Sequence, residues 1–235
     1  MVSVCMATRN GATFIKEQLT SILAQLDPSD EVVISDDCSS DDTLTVIRSF
    51  QDSRIRLLES RQEKGITKNF EASIAASRGD LIFLADQDDI WLAGKVNKMR
   101  QALQEYDLVM CDCQVVDDNL HVRDHSFYSL NKSGKGILKN LFKNSYMGCC
   151  MAFRSDLKIR ALPFPYDIPM HDIWLGLIAE VYFRVFFMPE VLVLHRRHGA
   201  NASTSGTVSG QPINRKLTDR YRVVKNLFIH KYHAR

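Results

Sequence analysis

The 235 residues carry 45% hydrophobic and 25% charged side chains with 11 Gly and 6 Pro, a balance that excludes a largely disordered chain. Folding at this length removes roughly 70% of the unfolded chain's surface from water, so a core forms without metal or disulfide staples. Thirty Lys and Arg against 28 Asp and Glu leave a net charge of +2, which excludes a global field for nucleic acid; attraction to a polyanion must be local.

Val2 to Met6 reads as a buried strand, followed by turn-prone Thr8-Arg9-Asn10-Gly11 and by Phe14, Ile15, Leu19, Ile22 and Leu23 at helical spacing. Glu31 to Ser35 gives a second strand and Asp36 to Asp42 a polar loop. Ser40, Asp41 and Asp42 open a helix carrying Leu44, Ile47 and Phe50. Arg54 to Glu59 is a third strand, Thr67 to Ser77 a helix ending at Gly79, and Asp80 to Ala85 a fourth strand, apolar throughout as a strand covered on both faces is. This alternation predicts an α/β fold with a wound, mostly parallel sheet flanked by helices.

The second half is mixed. Lys95 to Tyr106 reads as a helix and Leu108 to Cys113 as a strand, Gln114 to Lys135 is polar and irregular, and Gly136 to Asn144 suits a short amphipathic helix. Cys149 to Phe153, Val185 to Met188 and Val191 to His195 read as short strands around a helix from Asp172 to Tyr182, whose Trp174, Leu175, Ile178 and Val181 face the core. Ala202 to Gly210 reads as a linker or mobile loop, which divides a domain of residues 1–205 from a basic extension, 206–235. Six cysteines at positions 5, 38, 111, 113, 149 and 150 match no usual zinc spacing and read as buried, reduced thiols. With no basic n-region, apolar h-region or 18-residue apolar stretch, the chain is expected to be made and kept in a reducing cytoplasm.

In an open parallel sheet, ligands bind beyond the carboxyl ends of the strands. Asp36 and Asp37 follow the second strand and Asp86, Asp88 and Asp89 follow the fourth, so two acidic clusters converge on one edge. Asp86-Gln87-Asp88 sets two carboxylates two residues apart, where both can reach a divalent ion and the oxygens of a nucleotide diphosphate. The plainer alternative is a solvated acidic turn before a helix beginning near Trp91.

Four separated segments in order, Ser3 to Asn10 (SVCMATRN), Glu17 to Gln25, Val32 to Thr43 (VVISDDCSSDDT) and Asp80 to Trp91 (DLIFLADQDDIW), resemble glycosyltransferase family 2, enzymes of the GT-A fold. The likeness continues through Gly148-Cys149 with Met151 to Phe153, His171 to Trp174, and Arg196 to Asn201 (RRHGAN), covering about residues 1–202. Asp-Gln-Asp-Asp-Ile-Trp looks most like bacterial rhamnosyltransferases and related polysaccharide-building members. The family often has Gly at Cys38 and Thr at Cys150, and commoner polar residues at Arg197 and Ala200, departures that leave donor choice open.

The resemblance implies that Ala7, Thr8 and Arg9 line the nucleoside, with Asp36 on the base and Asp86 on the ribose. It implies that Asp88 holds Mn²⁺ or Mg²⁺, with His198 adding a metal or diphosphate contact unless it merely caps a turn. Trp91, Gly148, Cys149, His171 and Trp174 are its donor and acceptor pocket. Asp172 is its general base, although a carboxylate at a helix start also serves as an ordinary cap and dipole partner. Accepting a hydroxyl proton is worth 10²–10⁴-fold, and one acceptor-side carboxylate suffices for direct, inverting displacement.

Residues 215–235 carry seven Lys and Arg against Asp219, so this +6 segment leaves about −4 for the rest. Leu217, Tyr221, Val224 and Phe228 recur there at helical spacing, a stripe suited either to an anionic membrane surface or to packing on the domain. Lys132, Lys135, Lys139 and Lys143 beside Ile137, Leu138, Leu141 and Phe142 invite the same two readings. The expectation is a metal-assisted transferase moving a sugar from a UDP- or dTDP-sugar to a bacterial surface glycan, with a polyprenyl-diphosphate-linked acceptor and a peripheral position at the inner face of the membrane. The rivals are a nucleotidyltransferase, for which Ala7 to Gly11 is a poor phosphate loop, and a non-catalytic nucleotide- or glycan-binding module. No G-x-G-x-x-G follows the first strand, which disfavours a dinucleotide-dependent oxidoreductase.

Overall fold

In the computed structural model, which describes residues 1–60, 62, 64–198 and 213–233, the first half alternates strand and helix as its apolar pattern dictates. Strands β1 (Val2–Thr8), β2 (Glu31–Asp36), β3 (Ile55–Glu59) and β4 (Leu81–Ala85) pair in parallel in the order β3-β2-β1-β4. Helices α1 (Ile15–Leu23), α2 (Thr43–Ser49) and α3 (Ile66–Ala76) form the crossovers, so all four strands deliver their carboxyl ends to one edge. Burial on both faces explains the unbroken apolar runs: Val4, Met6, Val32, Ile34, Phe83 and Leu84 are fully inside.

The sheet then continues with mixed directions. A two-residue strand, β5 (Ile90–Trp91), and helix α4 (Lys95–Ala102) precede β6 (Leu108–Val116) and β7 (Val122–Asp124), which form an antiparallel pair. Next come α5 (Phe127–Asn131), α6 (Ile137–Phe142), a 3₁₀ turn at Gly148–Cys150, β8 (Met151–Arg154), α7 (Ser155–Ala161), α8 (His171–Tyr182), β9 (Val185–Arg196) and α9 (Ile213–His233). β8 lies antiparallel between β4 and β6, β9 runs parallel to β6, and β5 closes the far edge against β9. The result is one nine-stranded sheet, β3-β2-β1-β4-β8-β6-β9-β5 with β7 beside β6.

The mixed half corrects several sequence expectations. Val185 to Met188 and Val191 to His195 are one strand, because the Pro189-Glu190 interruption is absorbed as a register shift against Cys111, Asp112 and Cys113. Gln114 to Lys135 is not wholly irregular: it holds the end of β6, all of β7 and α5, whose short lengths hide them from periodicity. Cys149 sits in the 3₁₀ turn rather than in β8, and the helix expected near Trp91 starts at Lys95, since Trp91 pairs with Val193. Val181 lies on the exposed side of α8, while Trp174, Leu175 and Ile178 are buried as expected. All six cysteines are free, with Cys38 half-buried and the rest inside. The Ala202 to Gly210 linker and the 205/206 boundary lie outside the described residues. No helix among the described residues is long and apolar enough to cross a membrane.

Candidate active site

The end of β1, the turn after β4, the start of α3 and the first turn of α8 enclose a cavity of about 350 Å³. Ala7, Thr8 and Arg9 line it from the end of β1 and the residue after it, Asp86, Gln87 and Asp88 from the turn after β4, and Met170, His171 and Asp172 from the N-cap and first turn of α8. Asp37, Gly65, Ile66, Asn69, Met147, Gly148 and His195 complete the walls.

Hydrogen bonds tie these loops into one rim. Gln87 Oε1 accepts from the Arg9 amide at 2.9 Å and its Nε2 donates to the Arg9 carbonyl at 3.0 Å, joining β1 to the acidic turn. A Cβ on Gly11 would lie 2.3 Å from that Gln87 oxygen, so the clamp requires glycine there. Gln18 of α1 donates to the Asp86 carbonyl at 2.8 Å, and Asn69 Nδ2 to the Thr8 carbonyl at 3.2 Å.

Of the two aspartates after β2, Asp37 and not Asp36, which the resemblance puts on the base, lines the cavity. The Asp36 carboxylate accepts from Thr8 Oγ1 at 3.0 Å and from the amide and hydroxyl of Ser39 at 2.9 and 2.5 Å, which shapes the loop from beneath. Asp37 lines the cavity and accepts the Lys64 and Gly65 amides at 2.6 and 3.0 Å.

Asp88 Oδ2 and His198 Nε2 meet at 2.8 Å. Burial and the Asp89 charge raise the Asp88 pKa against the pull of His198. Asp86 is pushed up to about 8 by burial and by the charges of Asp89 and Asp88. Carboxylates crowded this way, with an imidazole alongside, form an oxygen and nitrogen donor set that suits Mn²⁺ or Mg²⁺, and a cation would relieve their repulsion.

Asp86, Asp89, Cys149 and His195 also gather, with ligand atoms within 4.8 Å of one another. Two of these residues are bonded to each other: Asp89 Oδ1 lies 3.0 Å from His195 Nδ1 and accepts the Arg196 amide at 3.0 Å, while Asp89 Oδ2 and His195 Nε2 are buried with no hydrogen-bond partner among the described residues. Burial alone would raise Asp89 and lower His195, yet each holds the other charged, Asp89 below and His195 above its ordinary range. Buried Cys149, hydrogen-bonded to Cys150, keeps its proton. The Asp89–His195 pair is an internal brace, and buried Arg196 extends it by donating to the Asp88 carbonyl at 3.0 Å and to Glu17 at 2.6 Å.

On the opposite wall, Asp172 sits in the first turn of α8, but Met170 is the N-cap, and no side chain caps this helix. Asp172 Oδ1 accepts the amide of Ile173 at 2.6 Å. Burial lifts the Asp172 pKa to about 6, opposed by backbone amides and by Asn144. His171 beside it stacks on Phe70 with centroids 3.9 Å apart, and burial pushes its pKa down to about 3. Gly148 makes room for this ring, since a Cβ there would approach His171 Nε2 to 2.7 Å.

Three residues expected in the pocket, Trp91, Cys149 and Trp174, are buried and do not line it. Trp91 is buried under Lys95, whose Nζ lies 3.9 Å from the ring centroid and donates to the Cys149 carbonyl at 2.7 Å. Trp174 is buried with its Nε1 donating to the Ala161 carbonyl at 3.0 Å. Sequence reading missed the roles of Asp37, Gln87, Asp89, Lys95, His195 and Arg196. His195 and Arg196 adjoin His198, and that adjacency was the available signal; nothing in the sequence marks a helical lysine such as Lys95 as fully buried.

The sequence model described as "Glycosyl transferase family 2" matches residues 3–159, well over half of the chain. The chain belongs to glycosyltransferase family 2. This family member is 27% identical over 217 residues to an uncharacterized glycosyltransferase of Nostoc sp., covering 85% of this chain and 66% of that protein. It is 26% identical over 184 residues to the Escherichia coli UDP-Glc:alpha-D-GlcNAc-diphosphoundecaprenol beta-1,3-glucosyltransferase WfgD, covering 77% and 70%. Over 98 residues it is 42% identical to the dTDP-rhamnosyl transferase RfbG of Shigella flexneri, covering 39% and 34%. Staphylococcus aureus TarS residues 1–349, solved with UDP-GlcNAc, superposes with a TM-score of 0.74 at 19% identity, covering 97% of this chain and 66% of that one. Pyrobaculum calidifontis mannosyltransferase PcManGT with GDP-Man and Mn²⁺ gives 0.65 at 23%, covering 87% and 58%. These superpositions establish the GT-A fold. The chain thus spans about two thirds of several of the proteins it matches.

Proposed function

We propose that the protein transfers one sugar from a nucleotide diphosphate to a hydroxyl of a growing bacterial surface glycan, inverting the anomeric carbon. One observation carries this reading: Asp172 shares a single cavity with Asp86 and Asp88, although 84 residues separate Asp88 from Asp172 along the chain. Ala7, Thr8, Arg9 and Asp86 bind the nucleoside, and Asp37, rather than the internally bonded Asp36, fronts the base. Asp88 and His198 would hold Mn²⁺ or Mg²⁺. That ion would supply charge to offset the leaving diphosphate.

The acceptor hydroxyl attacks the anomeric carbon as its proton passes to an Asp172 carboxylate oxygen. The bond from that carbon to the phosphate oxygen breaks, and its electron pair leaves with the nucleoside diphosphate. His171, neutral throughout the working range, does not compete for the proton; it shapes the sugar site together with Gly148, Met147 and Met170. Asp172 suits the task because a base titrating near 6 is ionised at neutral pH yet holds a proton better than an ordinary carboxylate.

UDP- and dTDP-sugars are the proposed donors, in line with the UDP-GlcNAc complex of TarS and the name of RfbG. A polyprenyl-diphosphate-linked glycan is the proposed acceptor, as the name of WfgD suggests, with the protein peripheral at the inner membrane face and residues 206–235 forming an extension to the GT-A domain. The test is a panel of UDP-, dTDP- and GDP-sugars assayed with Mn²⁺ for protection against thermal unfolding and then for transfer. A ligand at 100 times its Kd adds about 2.7 kcal/mol. Protection by one base and turnover of its sugar are expected; no protection by any nucleotide sugar contradicts the reading, and protection without turnover supports a binding module.

A further inference from the structure

We propose that α6 and α9 form a docking surface for an anionic lipid bilayer. Among the described residues, the seven most exposed large apolar side chains fall in one region of the fold. Leu138 and Phe142 lie on α6, Leu217, Tyr221 and Phe228 on α9; Ile159 of α7 and Tyr166 adjoin them. Their exposure runs from 55% for Leu217 to 95% for Tyr166, whereas the next, Met1, reaches 46%. Scattered exposed apolar residues need no explanation, but this concentration on neighbouring elements does.

Hydrogen bonds join those elements. Arg220 of α9 donates to the Phe142 carbonyl at 2.6 Å with its guanidinium 5.5 Å from the Phe142 ring centroid. Asn226 donates to Asp167, next to Tyr166, at 2.6 Å, and His230 Nε2 lies 2.7 Å from the Arg160 carbonyl of α7. The domain is packed against the opposite face of α9, where Val223 and Asn226 are buried. Of the stripe Leu217, Tyr221, Val224 and Phe228, at spacings of four, three and four residues, the first two and the last are exposed and Val224 is half-buried. Three of the four stripe residues thus face away from the domain, which packs on Val223 and Asn226.

Charge selects the occupant. Lys132, Lys135, Lys139 and Lys143 around α6 are exposed, as are Arg215, Arg222 and Lys225 of α9. The acidic groups facing α9 are few: Asp219 lies 3.7 Å from Arg222, Asp167 lies 3.8 Å from Lys225, and Glu180 is occupied by Gly136, Asn140 and Tyr146 beneath α6. Aromatic and aliphatic side chains flanked by lysine and arginine are the chemistry of a helix lying in a headgroup layer: the rings enter the acyl boundary and the cations meet lipid phosphates. A protein partner of ordinary acidic surface would satisfy the cations but leave the apolar side chains without a matching face. His230 also lies against Trp174, with centroids 5.7 Å apart, two residues along α8 from Asp172. The surface thus backs the acceptor side of the proposed catalytic site, and this placement alone rests on the glycosyltransferase reading.

The full chain is floated with vesicles of phosphatidylcholine alone or with about one third phosphatidylglycerol, at low and physiological salt, without donor or acceptor. It should float with the anionic vesicles, less so in salt, and stay behind with phosphatidylcholine. Replacing Lys135, Lys139 and Lys143 together by Ala should weaken partition about a hundredfold at low salt, since each cation near the surface is worth about fivefold. Phe142→Ser with Phe228→Ser should abolish flotation while leaving thermal unfolding and nucleotide-sugar protection unchanged. In a Tyr221→Trp variant, emission should shift to the blue on anionic vesicles only. Absence of flotation, flotation indifferent to these variants, or a dimer in sedimentation that the same variants dissociate would overturn the proposal. Because Asp172→Asn should float as the parent does, failure of the docking surface and failure of the catalytic reading give different results.

Discussion

Asp88 and His198 lie 110 residues apart in sequence and meet at 2.8 Å, one on the turn after β4 and the other just beyond β9. The brace of Asp89, His195 and Arg196 sets this distance, because it fixes the end of β9 against the same turn. His198→Ala should therefore lower Mn²⁺ affinity at least tenfold while nucleotide binding without metal persists, and Asp88→Ala should also abolish sensitivity of donor binding to chelation. Calorimetry of UDP-sugar binding with and without Mn²⁺ reads both effects. Unchanged Mn²⁺ affinity in both variants would place the ion elsewhere.

The Asp172 pKa of about 6 predicts a specific pH profile. The base works only when ionised, so kcat/KM should be flat above about pH 7 and fall tenfold per pH unit well below 6. Steady-state rates from pH 5 to 8 check this, and a profile that stays flat down to pH 5, as a carboxylate at the ordinary value of 3.8 would give, would show that burial does not tune the group.

Stability should carry the opposite pH signature. Asp86 and Asp172 hold protons more tightly in the folded protein, at about 8 and about 6, than an ordinary carboxylate at 3.8 does. Raised values contribute stability that is fully present below about pH 4 and is lost as pH rises through the folded values. In metal-free buffer, Asp86→Asn should gain stability relative to the parent progressively from pH 4 to 8, and Mn²⁺ should shrink that gap by pairing with the parent's carboxylates. Urea midpoints at several pH values measure it; a gap independent of pH contradicts the assigned repulsion.

Much of this arrangement was legible in the sequence. β1 to β4 have local causes, namely apolar runs and polar turns, and the two acidic clusters at strand ends follow from the parallel order. Their convergence with Asp172 came from matched motifs rather than from periodicity. What stayed hidden depends on contacts distant in sequence: Asp36 and Asp37 are indistinguishable as neighbours until Thr8 and Ser39 occupy one of them, and Lys95 looks like a surface lysine until Trp91 and the Cys149 carbonyl enclose it. The single strand β9 reads as two in the sequence because Pro189-Glu190 interrupts its apolar run, whereas a register shift beside Asp112 absorbs the interruption.

Two glycines give a paired test of packing against chemistry. At Gly176 a Cβ would lie 2.3 to 2.4 Å from the Tyr146 ring, so Gly176→Ala should cost about 1–3 kcal/mol, roughly 2–4 °C per kcal/mol in Tm, through overpacking. At Gly148 the neighbour is the His171 imidazole, so Gly148→Ala should lose activity beyond its loss of folded protein. Thermal melts alongside turnover per folded molecule separate the two; equal residual activity in both variants would deny His171 a part in shaping the sugar site.

The most direct measurement is turnover and donor affinity of Asp172→Asn beside the parent protein, with the matching nucleotide sugar and Mn²⁺. Asparagine keeps the shape and the contact with the Ile173 amide but cannot take a proton, so donor affinity should be unchanged and kcat should drop at least a hundredfold. Near-normal turnover with intact donor binding would contradict Asp172 as the base, and with it the shared cavity as the place of reaction.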